Sequence, residues 1–259
     1  MQKLKTPSEI EKMKKGGALL SKALKAAAEA ARPGVRISEL NEIAEKIIRE
    51  GGGKPSFLNY RISPEAAAFP SSLCVSVDDE VIHGFGDRDL ILGEGAIVSL
   101  DLGLWFEGLA TDMAVTVPVG KISSEKQALL HDTKIALEKA LQVIKAGVPV
   151  RKIGQTVETY LAPKGYGIVR DFVGHGVGHD VHELPNIPNF DDGGLDKTKL
   201  EIGMTIALEP MVIIGGDGRI DVLDDGWTVV SRSGQPSAHF EVTVAVTRAG
   251  YELLTPWVK

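Results

Sequence analysis

Two carboxylates lie on neighbouring predicted strands of the stretch GAIVSLDLGLWFEGLATDMAVTV. The pattern predicts two β-strands joined by a tight turn near Glu107-Gly108, with Asp101 on the first strand and Asp112 on the second. An odd number of positions separates the two acids, so a loop with an even number of residues places both on one sheet face. Two carboxylates this close repel each other unless a cation lies between them. The alternative is a pair of solvated acids on an exposed face.

Acids recur at the matching positions of the second half of the chain. Alignment of LGEGAIVSLD with LEIGMTIALE places Glu209 at the position of Asp101. The alternating pattern FEVTVAV predicts a further strand, on which Glu241 is the counterpart of Asp112. Four carboxylates that converge in a protein interior would be prohibitively repulsive without cations.

Three of the six histidines lie in the glycine-rich run VGHGVGHDVHE. Two divalent metal ions would balance the four carboxylates, with the ligands Asp101, Asp112, His175, Glu209 and Glu241. Such a set suits Mn, Fe, Co or Zn and does not discriminate among them. Paired metals activate a water for attack on a carbonyl group. His83 and His182 would then be free for proton transfer or for stabilising the intermediate, because imidazole titrates near neutrality.

Helices in both halves must support these strands. Thr6-Pro7-Ser8-Glu9 is a capping box with proline at the first helical position, and it predicts a helix to about Ala31. Ser38 is the predicted cap of a second, amphipathic helix. A helix over Ser124–Lys145 and a shorter one after Gly147-Val148 repeat this order.

The repeated order predicts a single α/β domain over 1–259, with two helix–helix–strand units at about 1–120 and 121–259. The hydrophobic content of 43% suffices for a sizeable core. A net charge of −6 with interspersed signs argues against a nucleic-acid surface. Cys74 is the single cysteine, which favours a reducing compartment. Neither a signal peptide nor a bilayer-spanning run is apparent, so we expect a cytoplasmic protein without membrane contact.

Five motifs occur in order along the chain: SLD with ATDM, GHGVG, VHELP, ALEPM and SAHFEVT. Together they resemble the methionine aminopeptidases, which are pita-bread dinuclear metallopeptidases, over nearly the whole length. The resemblance implies a pita-bread fold of mixed helices and a curved antiparallel sheet with pseudo-twofold symmetry. It also implies two divalent metal ions (Co, Mn, Fe or Zn) and removal of the N-terminal methionine from nascent chains.

The resemblance assigns the ligands. Asp101 would bind one metal, and His175 and Glu209 would bind the other. Asp112 and Glu241 would bridge both metals. Glu209 also matches the glutamate that accepts the proton from the bridging water. The short gap between His175 and Glu209 resembles the bacterial type I enzymes.

The resemblance also assigns residues that contact the substrate. His83 is similar to the histidine on the scissile or N-terminal side, and His182 to the one that stabilises the tetrahedral intermediate. Cys74 and Trp227 match positions that line the pocket for the methionine side chain. Residues 59–68 form a longer stretch than the family has here, which leaves the shape of this pocket open.

Two alternatives belong to the same fold. Xaa-Pro dipeptidases and aminopeptidase P resemble this chain in the ligand strands but usually carry a large N-terminal domain, and with the first ligand at position 101 we expect no such domain here. Metal-free pita-bread binding proteins lose ligands, whereas all five are present here. The expected partners are nascent polypeptide N-termini and the ribosome, which the basic residues Lys3, Lys5, Lys14 and Lys15 could contact. We expect a monomer that binds no nucleic acid directly.

Overall fold

The structure is a computed structural model that describes residues 3–194 and 197–257. Within these ranges it contains four α-helices: α1 (Pro7–Ala30), α2 (Ile37–Glu50), α3 (Ser124–Gln142) and α4 (Arg151–Leu161). A short 3-10 helix, Ala162–Lys164, follows α4. These bounds confirm the predicted pair of helices in each half, and α3 ends three residues before the predicted Lys145.

The two N-terminal helices begin in different ways. At α1 the predicted capping box is present, because the Thr6 hydroxyl accepts from the Glu9 N–H and the Glu9 carboxylate accepts from the Thr6 N–H. At α2 the prediction is wrong, since Arg36 rather than Ser38 precedes the first helical residue. A β-bridge between Arg36 and Ile91 keeps the chain extended up to that point, and the helix begins at the next residue.

Fifteen short strands occur in the described residues: β1 (Lys54–Pro55), β2 (Leu73–Val77), β3 (Glu80–Ile82), β4 (Ile97–Phe106), β5 (Leu109–Pro118), β6 (Gly167–Ile168), β7 (Gly174–Gly176), β8 (Glu183–Ile187), β9 (Thr205–Leu208), β10 (Met211–Ile213), β11 (Ile220–Val222), β12 (Val229–Ser231), β13 (Ser237–His239), β14 (Glu241–Val246) and β15 (Tyr251–Leu253). Nine of them form one sheet of order β1-β4-β5-β14-β9-β7-β8, with β2 on β4 and β15 on β14. The remaining six form two three-stranded sheets, β13-β10-β6 and β11-β12-β3.

The order of the large sheet is mirrored about its centre. The strands β5 and β14 pair there, and β4 and β9 lie outside them. Next to these come β2 on one side and β7 on the other. The sheet therefore places each half's acid-bearing strands side by side, and its paired strands are antiparallel.

One face of the sheet packs against the helices. Leu100, Leu102 and Leu104 of β4 are fully buried in a core that includes Leu20 and Leu24 of α1. Burying a leucine side chain contributes roughly 1.5–3 kcal/mol, so this face anchors the strands. The opposite face of β4 carries Asp101. No helix of the described ranges is long and apolar enough to cross a membrane.

Candidate metal centre

The hairpin of β4 and β5 places its two acids on one face. Its turn is Glu107-Gly108, with φ of 48° and 80°, and the register sets Asp101 opposite Ala114 and Asp112 opposite Gly103. Directly opposed residues share a face, so the acids are diagonal neighbours. Asp101 is 8% exposed and Asp112 is 3% exposed. The alternative of solvated acids on an exposed face is therefore wrong.

The central strands of the second half extend this face. Glu241 on β14 lies opposite Ala114 on β5. The pairing of β14 with β9 sets Val242 opposite Leu208. One further step in this antiparallel register brings Glu209, the residue after β9, beside Glu241. Acids from the two halves thus meet across the β5–β14 pair.

His175 reaches the same face from β7. It lies opposite Ala207 of β9, two residues before Glu209. Its Nε2 is 3.5 Å from Glu209 Oε1. Its Nδ1 lies 2.8 Å from the carbonyl oxygen of Gly176, which can only accept a hydrogen bond. Nδ1 therefore carries the ring proton, and the lone pair of Nε2 is free to bind a metal.

A single cavity of about 250 Å³ brings together the predicted ligands Asp101, Asp112, His175, Glu209 and Glu241. We call it the site cavity. Within the described part of the chain, the tightest group of ligand atoms belongs to Asp112, His175 and Glu241, all within 4.8 Å of one another. Asp101 and Glu209 line the same cavity outside this closest group.

The pKa values of these buried carboxyls are raised, as is expected where carboxyls crowd together without a cation. Burial raises the pKa of Glu209 to about 8 and that of Asp101 to about 6. Burial and the neighbouring carboxyls raise the pKa of Asp112 and of Glu241 well above the ordinary range. Asp101 Oδ1 and Glu241 Oε1 are buried without a hydrogen-bond partner among the described residues. Buried carboxylate oxygens with free lone pairs and one imidazole fit divalent metal ions.

The two histidines expected to contact the substrate line the site cavity as well. His83 has a φ of 61°, and its ring packs edge-on against Phe172 and Trp227. Burial lowers the pKa of His83 to about 4, so the ring is neutral at neutral pH. The ring centroid of His182 is 4.5 Å from that of His175, and its Nδ1 is 2.8 Å from Tyr60 Oη.

An apolar wall lies beside the carboxylates. Cys74 is opposite Asp101 in the pairing of β2 with β4, and Trp227 forms another part of the wall. The Trp227 ring packs against Phe69 at a centroid distance of 5.3 Å. Its Nε1 donates to the carbonyl oxygen of Ala67 at 3.2 Å. The long stretch 59–68 therefore shapes this wall through Tyr60, Ile62 and the backbone of Ala67.

Sequence reasoning missed several residues of the wall: Phe57, Phe69, Ile82, Phe172 and Val173. Most come from loops or strand ends without a hydrophobic period, so no local pattern marks them. The stretch 59–68 was expected to affect the pocket, but only its folded course shows that Tyr60 contacts His182.

The other histidines have different surroundings. His131 is exposed. His239 is buried, with Nε2 3.6 Å from Glu209 Oε2. The Nε2 of His179 is 2.7 Å from Glu9 Oε1 in the first turn of α1, and His179 is not among the residues that line the site cavity.

Comparison with known proteins supplies the family. Residues 11–248 match the model of metallopeptidase family M24. The methionine aminopeptidase of Clostridium perfringens is 42% identical over 253 residues, which cover 97% of this chain and 98% of that protein. The methionine aminopeptidase of Aquifex aeolicus is 41% identical over 252 residues, covering 95% and 96%.

Solved structures share the architecture. The methionine aminopeptidase of Thermotoga maritima superposes with a TM-score of 0.93 at 38% identity, covering 99% of this chain and 100% of that one. The prolidase of Pyrococcus furiosus gives a TM-score of 0.77 at 24% identity, covering 99% of this chain and 66% of that one. At this identity the similarity supports the fold alone. These neighbours confirm the pita-bread fold. By family match, relatives and architecture together, this chain belongs to metallopeptidase family M24.

Proposed function

We propose that this protein is a metallo-aminopeptidase that removes the N-terminal methionine from proteins and peptides. Its family makes it a peptide-bond hydrolase. The observation that carries the proposal is similarity over nearly the whole chain to several proteins named methionine aminopeptidase. The apolar wall beside the carboxylates supports it, since a thioether side chain packs well against aromatic rings.

We infer that the site holds two divalent metal ions, from Co, Mn, Fe or Zn. Four carboxylates balance the charge of two such ions. Asp112 and Glu241, which lie on the paired central strands β5 and β14, would hold the ions from the middle of the face. Asp101 on β4, His175 on β7 and Glu209 after β9 would supply the other ligands of these ions. Bound metals would lower the pKa of a water and polarise the scissile carbonyl group.

Individual side chains would accept a proton, stabilise the intermediate and bind the substrate. Glu209 would accept the proton of the attacking water, because burial keeps its carboxyl basic. His182 would donate a hydrogen bond to the carbonyl oxygen as negative charge develops there. His83 would contact the N-terminal side of the substrate, and Cys74 and Trp227 would hold the methionine side chain.

The biological setting is also a proposal. We propose that 1–259 forms one catalytic domain, because both units, about 1–120 and 121–259, contribute ligands. The substrates would be nascent chains in the cytoplasm, processed by a monomer that docks near the ribosome. The rival substrate class is Xaa-Pro peptides. Methionine aminopeptidases at 35–42% identity favour the methionine substrate over that rival.

The test compares two tripeptides, Met-Ala-Ser and Ala-Pro-Ala, with metal-stripped protein before and after addition of Mn(II) or Co(II). We expect metal-dependent release of methionine and no cleavage of the proline peptide. Cleavage of the proline peptide instead would keep the site and overturn the specificity. A protein that binds no metal would belong with the metal-free binding proteins of this fold.

A further inference from the structure

The segment 177–182 connects β7 to β8 and contains His182 just before β8 begins at Glu183. Within it, Gly178 has a φ of 146°, a conformation that residues with a side chain rarely adopt. Tyr60 Oη contacts the His182 ring at Nδ1. A segment with so little regular structure needs other contacts to hold its backbone in place.

Lys5 supplies such a contact from the N-terminal segment. Its ammonium group forms an ion pair with Glu183, the residue directly after His182. The side chain of Lys5 is 1% exposed and that of Glu183 is 6% exposed. The second oxygen of Glu183 accepts from the backbone N–H of Asp180 at 2.9 Å. One carboxylate thus joins Lys5 of the N-terminal segment to Asp180 and to the residue directly after His182.

The surroundings of Lys5 show that the pair is built into the fold. The Lys5 N–H donates to the carbonyl oxygen of Gly203 at 2.7 Å, and its ammonium group also donates to the carbonyl oxygen of Lys3 at 3.0 Å. A β-carbon at Gly178 would overlap the Lys5 stem, so this glycine makes room for it. Removing one partner of a buried pair leaves the other charge buried and unpaired, which is destabilising. We expect the segment that carries the unpaired charge to move as a result.

Two outer contacts join the same segments. Glu9 of α1 bonds to His179 at 2.7 Å, and Lys3 pairs with Asp180 at 2.7 Å. The side chains of Lys3 and Asp180 are 52% and 63% exposed, in contrast to the Lys5–Glu183 pair. Exposed pairs contribute little because water screens them. Lys3 is therefore a matched control for Lys5.

We propose that Lys5 is a positioning residue for the hydrolysis, which acts by fixing Glu183 and thereby the imidazole of His182 over the site cavity. The inference rests on the proposed function and on the proposed role of His182. Among the described residues, Lys5 bonds to Lys3, Glu183 and Gly203, and none of these lines the cavity, so its effect passes through the loop. Misplacing a catalytic donor by about 1 Å can lower a rate by about 100-fold.

The test measures kcat and KM for Met-Ala-Ser with Lys5→Met, which keeps the stem and removes the charge, and with Lys3→Met. We expect Lys5→Met to lower kcat by about 10–100-fold with metal content unchanged, because the lost interaction acts in the transition state. Lys3→Met should stay within about twofold of wild type. The conservative Lys5→Arg should recover most of kcat.

A double-mutant cycle separates positioning from a general loss of structure. In a His182→Ala background, Lys5→Met should lower kcat little further, whereas a purely structural role would lower it by the same factor in both backgrounds. Equal factors, or a Lys5→Met kcat equal to that of an active wild type, would overturn the inference. An inactive wild type would instead overturn the proposed function. Should Lys5→Met not fold, Glu183→Gln takes its place under the same criteria.

Discussion

Asp101 and Glu241 face Ala114 from opposite sides. Asp101 lies opposite this alanine on β4, and Glu241 lies opposite it on β14. Ala114 is 1% exposed, so only a methyl group occupies the centre of the carboxylate face. We expect the cations to occupy the space that this small side chain leaves between the two acids.

A larger side chain at this centre should close that space. We expect Ala114→Leu to lose metal binding, because the added carbons lie between Asp101 and Glu241. Overpacking of a core costs about 1–3 kcal/mol, so the fold should survive. The measurement is metal content after dialysis against Mn(II), with circular dichroism as the check on folding. Ala114→Gly is the matched control and should bind metal as wild type does. Full metal occupancy in Ala114→Leu would show that the ions lie elsewhere.

Glu241 should be indispensable for metal binding. Glu241→Gln keeps the volume of the side chain but removes its charge, so we expect metal affinity and peptide hydrolysis to fall by about 100-fold or more, beyond the usual effect of residues that only support ligands. The apolar core on the other sheet face should keep the protein folded. Isothermal titration with Mn(II) measures the affinity. Glu252→Gln, on the neighbouring strand β15 and outside the site cavity, is the control. Wild-type activity in Glu241→Gln would contradict the site as a whole.

The metal-free protein should lose stability as pH rises. Burial raises the pKa of Glu209 from 4.5 to about 8. Between these two pH values the unfolded chain has released the proton that the folded chain still holds. Stability from this group is complete below the unfolded pKa and is lost as pH rises through the folded pKa. We expect Tm of metal-stripped protein to fall between about pH 5 and pH 8, and added Mn(II) to raise Tm most at the upper end. Glu209→Gln should flatten this dependence. A Tm that rises over the same range would count against a buried, unpaired carboxyl.

Trp227 should determine how well the methionine side chain binds. Replacing it with leucine removes the ring that packs on Phe69 and the hydrogen bond to Ala67. We expect kcat/KM for Met-Ala-Ser to fall by about 10–200-fold, the range for lost apolar contacts in a specificity pocket. Metal content should not change. Trp257→Leu, away from the site cavity, should behave as wild type. Unchanged kinetics in Trp227→Leu would place the methionine side chain against another wall.

Local sequence patterns predicted the positions of several structural elements and site residues. The odd spacing between Asp101 and Asp112, together with the predicted tight turn at Glu107-Gly108, placed the two acids on one face, because side chains alternate along a strand. The helix that begins after Thr6 followed from a capping box that lies within four consecutive residues, Thr6 to Glu9. The cap at Ser38 failed because Arg36 pairs with Ile91, a contact that no local pattern contains.

The sequence by itself determined the residue types of the candidate centre, the strands that carry them and the duplicated order of elements, since each depends on periodicity or on motifs within a few residues. Only the tertiary structure decided which side chains surround those acids. Phe69 and Tyr60 come from loops without a period, and Glu9 meets His179 across 170 positions. Such contacts depend on how the sheet and loops pack in three dimensions. The spacing of residues along the chain does not reveal them.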